Sequence, residues 1–238
     1  MNIALIGYGK MGKAIEEIAL ARKHRIGLKI SSANKAELTG QNLEKHDVAI
    51  EFTGPDSAVG NIEKCLDAGV PVICGSTGWT KQLNVIEKKL QEKDGSFLYA
   101  SNFSVGVNIF FEVNKKLASL MADQVDYEVI LEEIHHTQKK DAPSGTAITL
   151  AEQILEKLKR KKKWVNDLSD NPEDLEIISQ RIDPTPGTHR VKYSSAIDDL
   201  EIIHTAHNRK GFALGAVIAA EFLKDKKGIF SMKDVLKF

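Results

Sequence analysis

The stretch Ile3-Ala4-Leu5-Ile6-Gly7-Tyr8-Gly9-Lys10-Met11-Gly12 decides the fold of the first part of the chain. Its first four residues form a short apolar run, which predicts a buried strand. The apolar residues that follow recur at helical spacing, and these are Met11, Ala14, Ile15, Ile18 and Ala19. The sequence therefore predicts a strand that passes through a glycine-rich turn into an amphipathic helix.

The same alternation of periods continues outward to about residue 100. Further strands are predicted to end near Ile30 and to cover Val48 to Phe52, Val70 to Cys74 and Phe97 to Ala100. Between them lie two helical patterns, Pro55 to Ala68 and Thr80 to Lys93. Strands that alternate with helices predict a parallel sheet covered on both faces.

The pattern changes near residue 105. A helix is predicted from Val105 to Met121, a strand from Asp126 to Ile134, and a helix carrying Ala147 to Leu158. Three more predicted strands then follow each other directly, at Leu175 to Arg181, His189 to Ser195 and Leu200 to His207. Grouped strands predict an α+β domain with a mixed or antiparallel sheet. The alanine-rich helix from Gly211 to Leu223 has no partner in its own region, so we expect it to return to the first sheet.

Composition excludes several classes of protein. The chain has 238 residues, 42% of them hydrophobic, and no net formal charge. No run of about 18 apolar residues is present, and the first residues lack the basic flank of a signal peptide, so we expect no membrane partner. Cys65 and Cys74 lie in apolar segments, which indicates buried thiols in a reducing compartment. A neutral chain has no bulk electrostatic attraction for nucleic acid, and the basic run 159–163 is interpreted as a solvated helix end.

The glycines at 7, 9 and 12 fit the pattern G-x-G-x-x-G. Between a strand and a helix, Gly7 permits the tight turn, Gly9 lets the backbone approach a pyrophosphate, and Gly12 allows close packing of helix and strand. Amides at the start of the helix then face the phosphates. The alternative is a tight turn without a ligand. The predicted cofactor-binding residues of this turn are Gly7, Tyr8, Gly9, Lys10, Met11 and Gly12.

Two later turns follow strands of the same predicted sheet. They contain Gly75, Ser76 and Thr77, and then Ala100, Ser101, Asn102 and Phe103. Ligands of open parallel sheets lie beyond the carboxyl ends of the strands, so both turns are predicted to bind the cofactor as well. The fold class is therefore α/β, with a Rossmann-like dinucleotide domain (residues 1–104 and 213–238) and an α+β domain with a mixed sheet (residues 105–212).

A loop rich in functional groups lies between a strand end and a helix start in the second domain. It contains His135, His136, Lys139 and Lys140, followed by Pro143-Ser144-Gly145-Thr146. An imidazole, fixed cations and helix-start amides suit a carboxylate-bearing substrate that must gain a proton. Two alternatives stay open: a His-His metal pair, which lacks the usual accompanying ligands, and a polar helix cap without chemistry.

The run from Glu133 to Ala147 reads E-x-H-H-x-x-K-x-D-A-P-S-G-T-A. It is similar to the signature of the dihydrodipicolinate reductase family. The stretch 101–108 matches that family's second hallmark, and Gly75-Ser76-Thr77-Gly78 resembles its G-T-T-G turn. The resemblance spans residues 3 to about 220. It implies a cytoplasmic, homotetrameric oxidoreductase of lysine and diaminopimelate biosynthesis that reduces dihydrodipicolinate to tetrahydrodipicolinate with NADPH or NADH.

The resemblance also implies that the second domain, residues 105–212, binds the substrate and builds the tetramer, and it implies roles for matching residues. His135 and Lys139 would be catalytic and would handle the proton, whereas His136, Gly145 and Thr146 would bind the carboxylates of a small dicarboxylate substrate. Two features depart from the family: the region between Ile30 and Val48 is short, and the expected acid after the second strand is missing.

Ser31 and Ser32 stand where that acid is expected, with Lys35 close behind. Both serines are predicted to bind the cofactor. An acid at this position binds the ribose hydroxyls of NADH and repels the extra phosphate of NADPH, so we expect NADPH to be accepted at least as well as NADH. Two rival functions remain at this point: another two-domain dehydrogenase, and a nucleotide-sensing regulator without turnover.

Overall fold

The computed structural model describes all 238 residues, which divide into two compact units. Unit 1 comprises residues 1–105 and 209–238, and unit 2 comprises residues 106–208. The second segment of unit 1 begins four residues before the predicted boundary at 213 because its helix already starts at Lys210. None of the helices combines the length and the apolar character needed to cross a bilayer.

Unit 1 is built on a six-stranded sheet in which every pair of neighbouring strands is parallel. With elements numbered in chain order, its strands are β1 (Asn2–Ile6), β2 (Arg25–Ile30), β3 (Val48–Glu51), β4 (Val72–Cys74), β5 (Ser96–Tyr99) and β11 (Gly228–Phe230). Its helices are α1 (Lys10–Ala21), α2 (Gly40–Leu43), α3 (Pro55–Asp67), α4 (Leu83–Lys93), α7 (Lys210–Leu223) and α8 (Met232–Leu236), with 3₁₀ turns at Lys35–Glu37 and Thr80–Gln82. The strand order is β11-β5-β4-β3-β1-β2.

Apolar side chains cover both faces of this sheet. Along β1, Ile3 and Leu5 pack in the core that contains α1 and α7, while Ala4 and Ile6 pack in the core that contains α3 and α4. The alanine-rich helix α7 thus lies on the sheet of unit 1. Its approach is close: a Cβ atom on Gly215 would lie 1.7 Å from the carbonyl oxygen of Phe103. A fully covered parallel sheet confirms the predicted fold class for this unit.

Unit 2 contains a five-stranded mixed sheet. Its elements are α5 (Val105–Met121, which starts at the boundary), β6 (Glu128–His135), α6 (Gly145–Lys157), β7 (Lys163–Val165), β8 (Asp174–Arg181), β9 (Gly187–Ser194) and β10 (Asp199–Ala206). The order is β10-β9-β6-β8-β7, and β6 pairs parallel with β8 but antiparallel with β9. Leu131, Ile177 and Val191 from three strands pack with residues of α5 and α6 in one core. The predicted mixed sheet is confirmed.

The interpretation of the basic run 159–163 as a solvated helix end is wrong. Helix α6 ends at Lys157, and the run continues into strand β7. Lys161 is buried, forms an ion pair with Glu128 at 2.8 Å and donates to the carbonyl of Pro172. Arg160 donates to backbone carbonyls, including that of Ala122 at 3.0 Å. These cations therefore fix chain segments in unit 2.

The close packing of α7 gives a test of the fold. The substitution Gly215→Ala should lower the free energy of unfolding by about 3 kcal/mol, because the new methyl group meets a backbone carbonyl that cannot move aside. Gly60→Ala, inside α3 and with open space around its Cβ position, should instead raise it by up to about 1 kcal/mol. Urea unfolding followed by circular dichroism measures both changes, and equal stabilities of the two variants would contradict the packing described for α7.

Candidate active site

The glycine-rich turn has the geometry that its sequence predicts. Gly7 has φ +101°, and a Cβ atom there would lie 2.0 Å from the carbonyl oxygen of Phe52. A Cβ on Gly12 would lie 2.6 Å from the carbonyl oxygen of Gly7, so helix and turn touch at that point. Nothing lies within 4 Å of the Cβ position of Gly9, and no side chain caps α1. The turn therefore leaves its middle glycine and the helix start open to an anionic ligand.

Two neighbouring pockets of unit 1 collect most of the predicted cofactor-binding residues. A pocket of about 500 Å³, here called the nucleotide pocket, is lined among others by Gly7, Tyr8, Gly9, Ser31 and Ser32. A second pocket of about 300 Å³ is lined among others by Met11, Gly75, Ser76 and Thr77. The predicted residues that line neither pocket are Lys10, Gly12, Ala100, Ser101, Asn102 and Phe103. Of these, Ala100 and Phe103 are buried in the core beside α7.

Thr53 and Gly54 line both pockets, and sequence reasoning missed them. The fully buried carboxylate of Glu51 accepts a hydrogen bond from the amide of Thr53 at 3.1 Å, and that amide also donates to the hydroxyl of Ser76 at 2.8 Å. Cys74 donates its thiol hydrogen to Glu51 at 3.1 Å, because burial and the nearby carboxylate raise the pKa of this thiol. Glu51 therefore anchors the loops that form the pockets. An acid at the end of an apolar strand was the available signal.

In unit 2, three buried side chains form a polar cluster: Glu133, His135 and His189. The Nε2 atoms of the two histidines are 3.4 Å apart, and they lie 3.4 Å (His135) and 3.7 Å (His189) from Oε2 of Glu133. These three residue types could also hold a metal ion in this arrangement. Of the three, only His135 was predicted as a site residue.

The pairing of the strands creates this cluster. Glu133 on β6 is the antiparallel partner of His189 on β9 and the parallel partner of Ser179 on β8. His135 is likewise paired with Arg181 on β8. The register of the strands thus brings together residues that are 46 to 56 positions apart in the sequence. The hydrophobic pattern of each strand predicts the strand itself but not its register with its neighbours. The signal in the sequence was the charged Glu133 on the same alternating strand positions as the apolar Val129 and Leu131.

Glu133 is fully buried and accepts hydrogen bonds from the amide of Ser144 at 3.1 Å, from the hydroxyl of Ser179 at 2.8 Å and from Arg181 at 3.2 Å. Burial by itself raises the pKa of this carboxyl, but contacts with His135, His189, Ser144 and Ser179 outweigh it and lower the pKa well below its ordinary value. Glu133 is therefore ionised and fixes the groups around it.

His189 is nearly inaccessible to solvent. Burial lowers the pKa of its imidazole, and the contact with Glu133 only partly opposes that effect. Its Nε2 lies 3.1 Å from the hydroxyl of Ser144. On the other side of the cluster, a Cβ atom at Gly187 would lie 2.9 Å from Cε1 of His135. Glycine at 187 therefore makes room for the His135 ring.

The loop after β6 carries the other predicted residues of unit 2. Lys139 forms an ion pair with Asp141 at 2.9 Å. Arg181 donates to the carbonyl oxygens of Lys139 and Asp141, which ties the loop to the sheet. Ser144 caps α6 by accepting from the amide of Ala147, so Gly145 and Thr146 form the first turn of that helix. His136 lies half-buried directly after the strand.

The buried cluster predicts an acid-sensitive unit 2. The pKa of His189 is lower in the fold, so the unfolded chain takes up this proton first, and stability is lost as the pH falls below about 6.5. Ionised Glu133 contributes stability above its ordinary pKa near 4.5, and this contribution is lost at lower pH. The slope from His189 is at most about 1.4 kcal/mol per pH unit.

Urea unfolding at a series of pH values measures this effect. His189→Gln should flatten the dependence between pH values of about 6.5 and 5, whereas His207→Gln, at an exposed histidine of the same unit, should leave it as in the wild type. An unchanged slope in His189→Gln would show that His189 titrates alike in the folded and unfolded chains.

The geometry of both units can be compared with known proteins. The family model described as dihydrodipicolinate reductase, N-terminus, matches residues 1–103, and the model for the C-terminus of the same family matches residues 106–236. A 4-hydroxy-tetrahydrodipicolinate reductase of Christiangramia forsetii is 52% identical over 236 residues, covering 99% of this chain and 98% of the relative. The reductase of the same name from Methanosarcina barkeri is 38% identical over 91% of this chain and 82% of the relative.

A solved structure shows the same fold. The dipicolinate-bound dihydrodipicolinate reductase from Paenisporosarcina sp. TG-14 matches with a TM-score of 0.74 and 22% sequence identity, covering 97% of each chain. Both family models together account for nearly every residue, and the curated relatives align along almost the whole length. The chain therefore belongs to the dihydrodipicolinate reductase family.

Proposed function

We propose that this protein uses NAD(P)H to reduce 4-hydroxy-tetrahydrodipicolinate, or dihydrodipicolinate, to tetrahydrodipicolinate in lysine and diaminopimelate biosynthesis. The observation that carries this function is the 52% identity, over almost the full length of both chains, to a reductase of that name. A general two-domain dehydrogenase would leave the His-Lys loop of unit 2 without a purpose. A regulator without turnover would need neither this loop nor the buried cluster behind it.

The residues of unit 1 fit a dinucleotide. The open backbone at Gly9 and the uncapped start of α1 would bind the pyrophosphate, and the tight turn at Gly7 brings them to the end of β1. Ser76 and Thr77 in the second pocket would hold the part of the cofactor nearer to the reacting ring. When bound, the cofactor supplies the hydride, while the protein orients both reactants and excludes water.

In unit 2, His135 and Lys139 are assigned to proton handling. Ionised Glu133 fixes the orientation of the His135 imidazole, and Gly187 leaves that ring its space. The ammonium group of Lys139 is positioned by Asp141 and by the loop contacts of Arg181. An ammonium group and an imidazole at a strand end suit the delivery of the proton that completes the reduction. Glu133 and Arg181 act as positioning residues.

His136, Gly145 and Thr146 are assigned to the carboxylates of the substrate. The amides in the first turn of α6 point out of the helix start, where the dipole also favours an anion. The hydroxyl of Ser144 already accepts the hydrogen bond from the amide of Ala147. The amides available to a substrate carboxylate are therefore those of Gly145 and Thr146.

Residues 105–212 would bind substrate and assemble the enzyme into a homotetramer in the cytoplasm. The hairpin of β9 and β10 supports assembly through this region, since it exposes the apolar side chains of Ile197, Leu200 and Ile203. The two buried free thiols are consistent with a reducing compartment.

The proton-donor role of Lys139 can be tested by measuring kcat of a variant enzyme. Lys139→Ala should lower kcat by about a hundredfold or more, because general acid catalysis of this size depends on one positioned donor, and it should leave the Kd for NADPH unchanged. The assay follows NAD(P)H absorbance with freshly generated dihydrodipicolinate. Lys140→Ala, at the exposed neighbouring lysine, is the matched control and should retain wild-type kcat. His136→Ala should mainly raise KM. Wild-type turnover in Lys139→Ala would remove the proton-donor role.

Pyridine-2,6-dicarboxylate should inhibit competitively with the substrate. It is flat, carries two carboxylates and cannot accept a hydride, and charge-assisted hydrogen bonds to the loop of unit 2 would bind one end. Inhibition at concentrations on the order of millimolar or below, measured in the same absorbance assay, is expected. The Gly145→Pro variant should no longer be inhibited, because it lacks the amide hydrogen that would bind the carboxylate. The helix itself should be kept, since proline fits the first turn of a helix. Absence of competition in the wild type would indicate another class of substrate.

A further inference from the structure

Helix α3 presents a polar face to the nucleotide pocket. Ser57, Asn61 and Lys64 follow each other at spacings of four and three residues, which places them on one side of the helix. All three line this pocket. The segment after β2 contributes Ser31, Ser32 and Lys35 to the same lining. The pocket therefore receives one lysine from α3 and one from the segment that follows β2.

The polar side chains of α3 have hydrogen-bond partners at the start of the helix but not near its end. Ser57 and Asn61 both donate to the hydroxyl of Thr53, at 3.2 and 3.3 Å. The ammonium group of Lys64 makes no ion pair and no hydrogen bond within the protein, and the same is true of Lys35. Lys29 of β2, by contrast, is paired with Glu16 at 2.6 Å.

No carboxylate balances these two cations in the pocket. Aspartate and glutamate are absent from its lining. Glu37, the acid nearest in sequence to Lys35, accepts a hydrogen bond from the side chain of Asn34 at 3.1 Å and does not line the pocket. Two uncompensated positive charges and two hydroxyl side chains make a site for a dianionic group. The lining provides no carboxylate to accept both hydrogen bonds of a ribose diol, which an acidic residue normally does.

We infer that Lys64 and Lys35 together bind the 2′-phosphate of NADPH, with Ser32 as a hydrogen-bond donor, and that Lys64 on α3 is a specificity-determining residue for this cofactor. The inference rests on the proposed function, since it assigns the nucleotide pocket to the adenosine half of NAD(P)H. Lysines act here as point charges on flexible stems, so two of them from different elements are needed where one bidentate arginine would suffice.

Direct binding measurements test the site without turnover. The Kd values of NADPH and NADH, from the quenching of protein fluorescence, and of 2′,5′-ADP and 5′-ADP, from calorimetry, are compared at low salt. The wild type should bind NADPH and 2′,5′-ADP at least about tenfold more tightly than their partners without the 2′-phosphate. Lys64→Met should weaken both phosphate-bearing ligands by about fivefold to tenfold and the other two by less than about twofold, and added salt should shrink the wild-type preference.

Lys88→Met is the matched control, because Lys88 is an 80% exposed lysine on the neighbouring helix α4 and lies outside the pocket. It should leave all four Kd values unchanged. Equal affinity of the wild type for 2′,5′-ADP and 5′-ADP would overturn the inference, and so would an equal loss of both ligands in Lys64→Met. Failure of all four nucleotides to bind the folded wild type would overturn the proposed function along with it, whereas loss of the phosphate preference alone leaves that function standing.

Discussion

The ionised carboxylate of Glu133 is the interaction on which the arrangement of unit 2 depends. A buried charge without partners would destabilise the fold severely, so the neighbouring elements must supply donors to it. Here strand β8 supplies Ser179 and Arg181, and the start of α6 supplies the amide of Ser144. The same carboxylate lies against both histidines of the cluster. Any shift in strand register would leave the carboxylate of Glu133 without these donors. Its need for hydrogen bonds therefore fixes the positions of the loop after β6 and of His135.

Unit 1 uses the same device in a simpler form. Glu51 ends strand β3 in full burial, and its carboxylate organises Thr53 and Cys74 at the mouth of the parallel sheet. In both units a buried acid near the end of a central strand accepts hydrogen bonds from the loop that follows. These hydrogen bonds fix the loop in a position where it can bind a ligand. In unit 2, His136, Lys139 and Gly145 stay at least partly exposed, while Glu133, like Glu51 in unit 1, is fully buried. This division separates the chemistry of binding from the support that gives it precision.

The sequence predicted those features that depend on local pattern. The alternation of strand and helix periods predicted the parallel sheet, and the glycines at 7, 9 and 12 predicted the turn. Both signals lie within short stretches of sequence, so no knowledge of distant contacts was needed. Short edge strands such as β7 and β11 have only three residues each, too few to show a period, and they were missed. His189 was missed because its link to Glu133 exists only through the pairing of β6 with β9. The basic run was misread because the burial of Lys161 depends on Glu128, far away in the sequence.

The division of unit 1 between two stretches of chain has a consequence for biosynthesis. Strand β11 completes one edge of the parallel sheet, and α7 covers one of its faces. Both come from residues 209–238, which are synthesised after the whole of unit 2. Unit 2 is continuous in sequence, so its residues are all available earlier. Until residues 209–238 have been made, Ile3, Leu5 and Ile73 therefore lack the part of their cover that α7 supplies, and this apolar face is the surface that chaperones would need to protect.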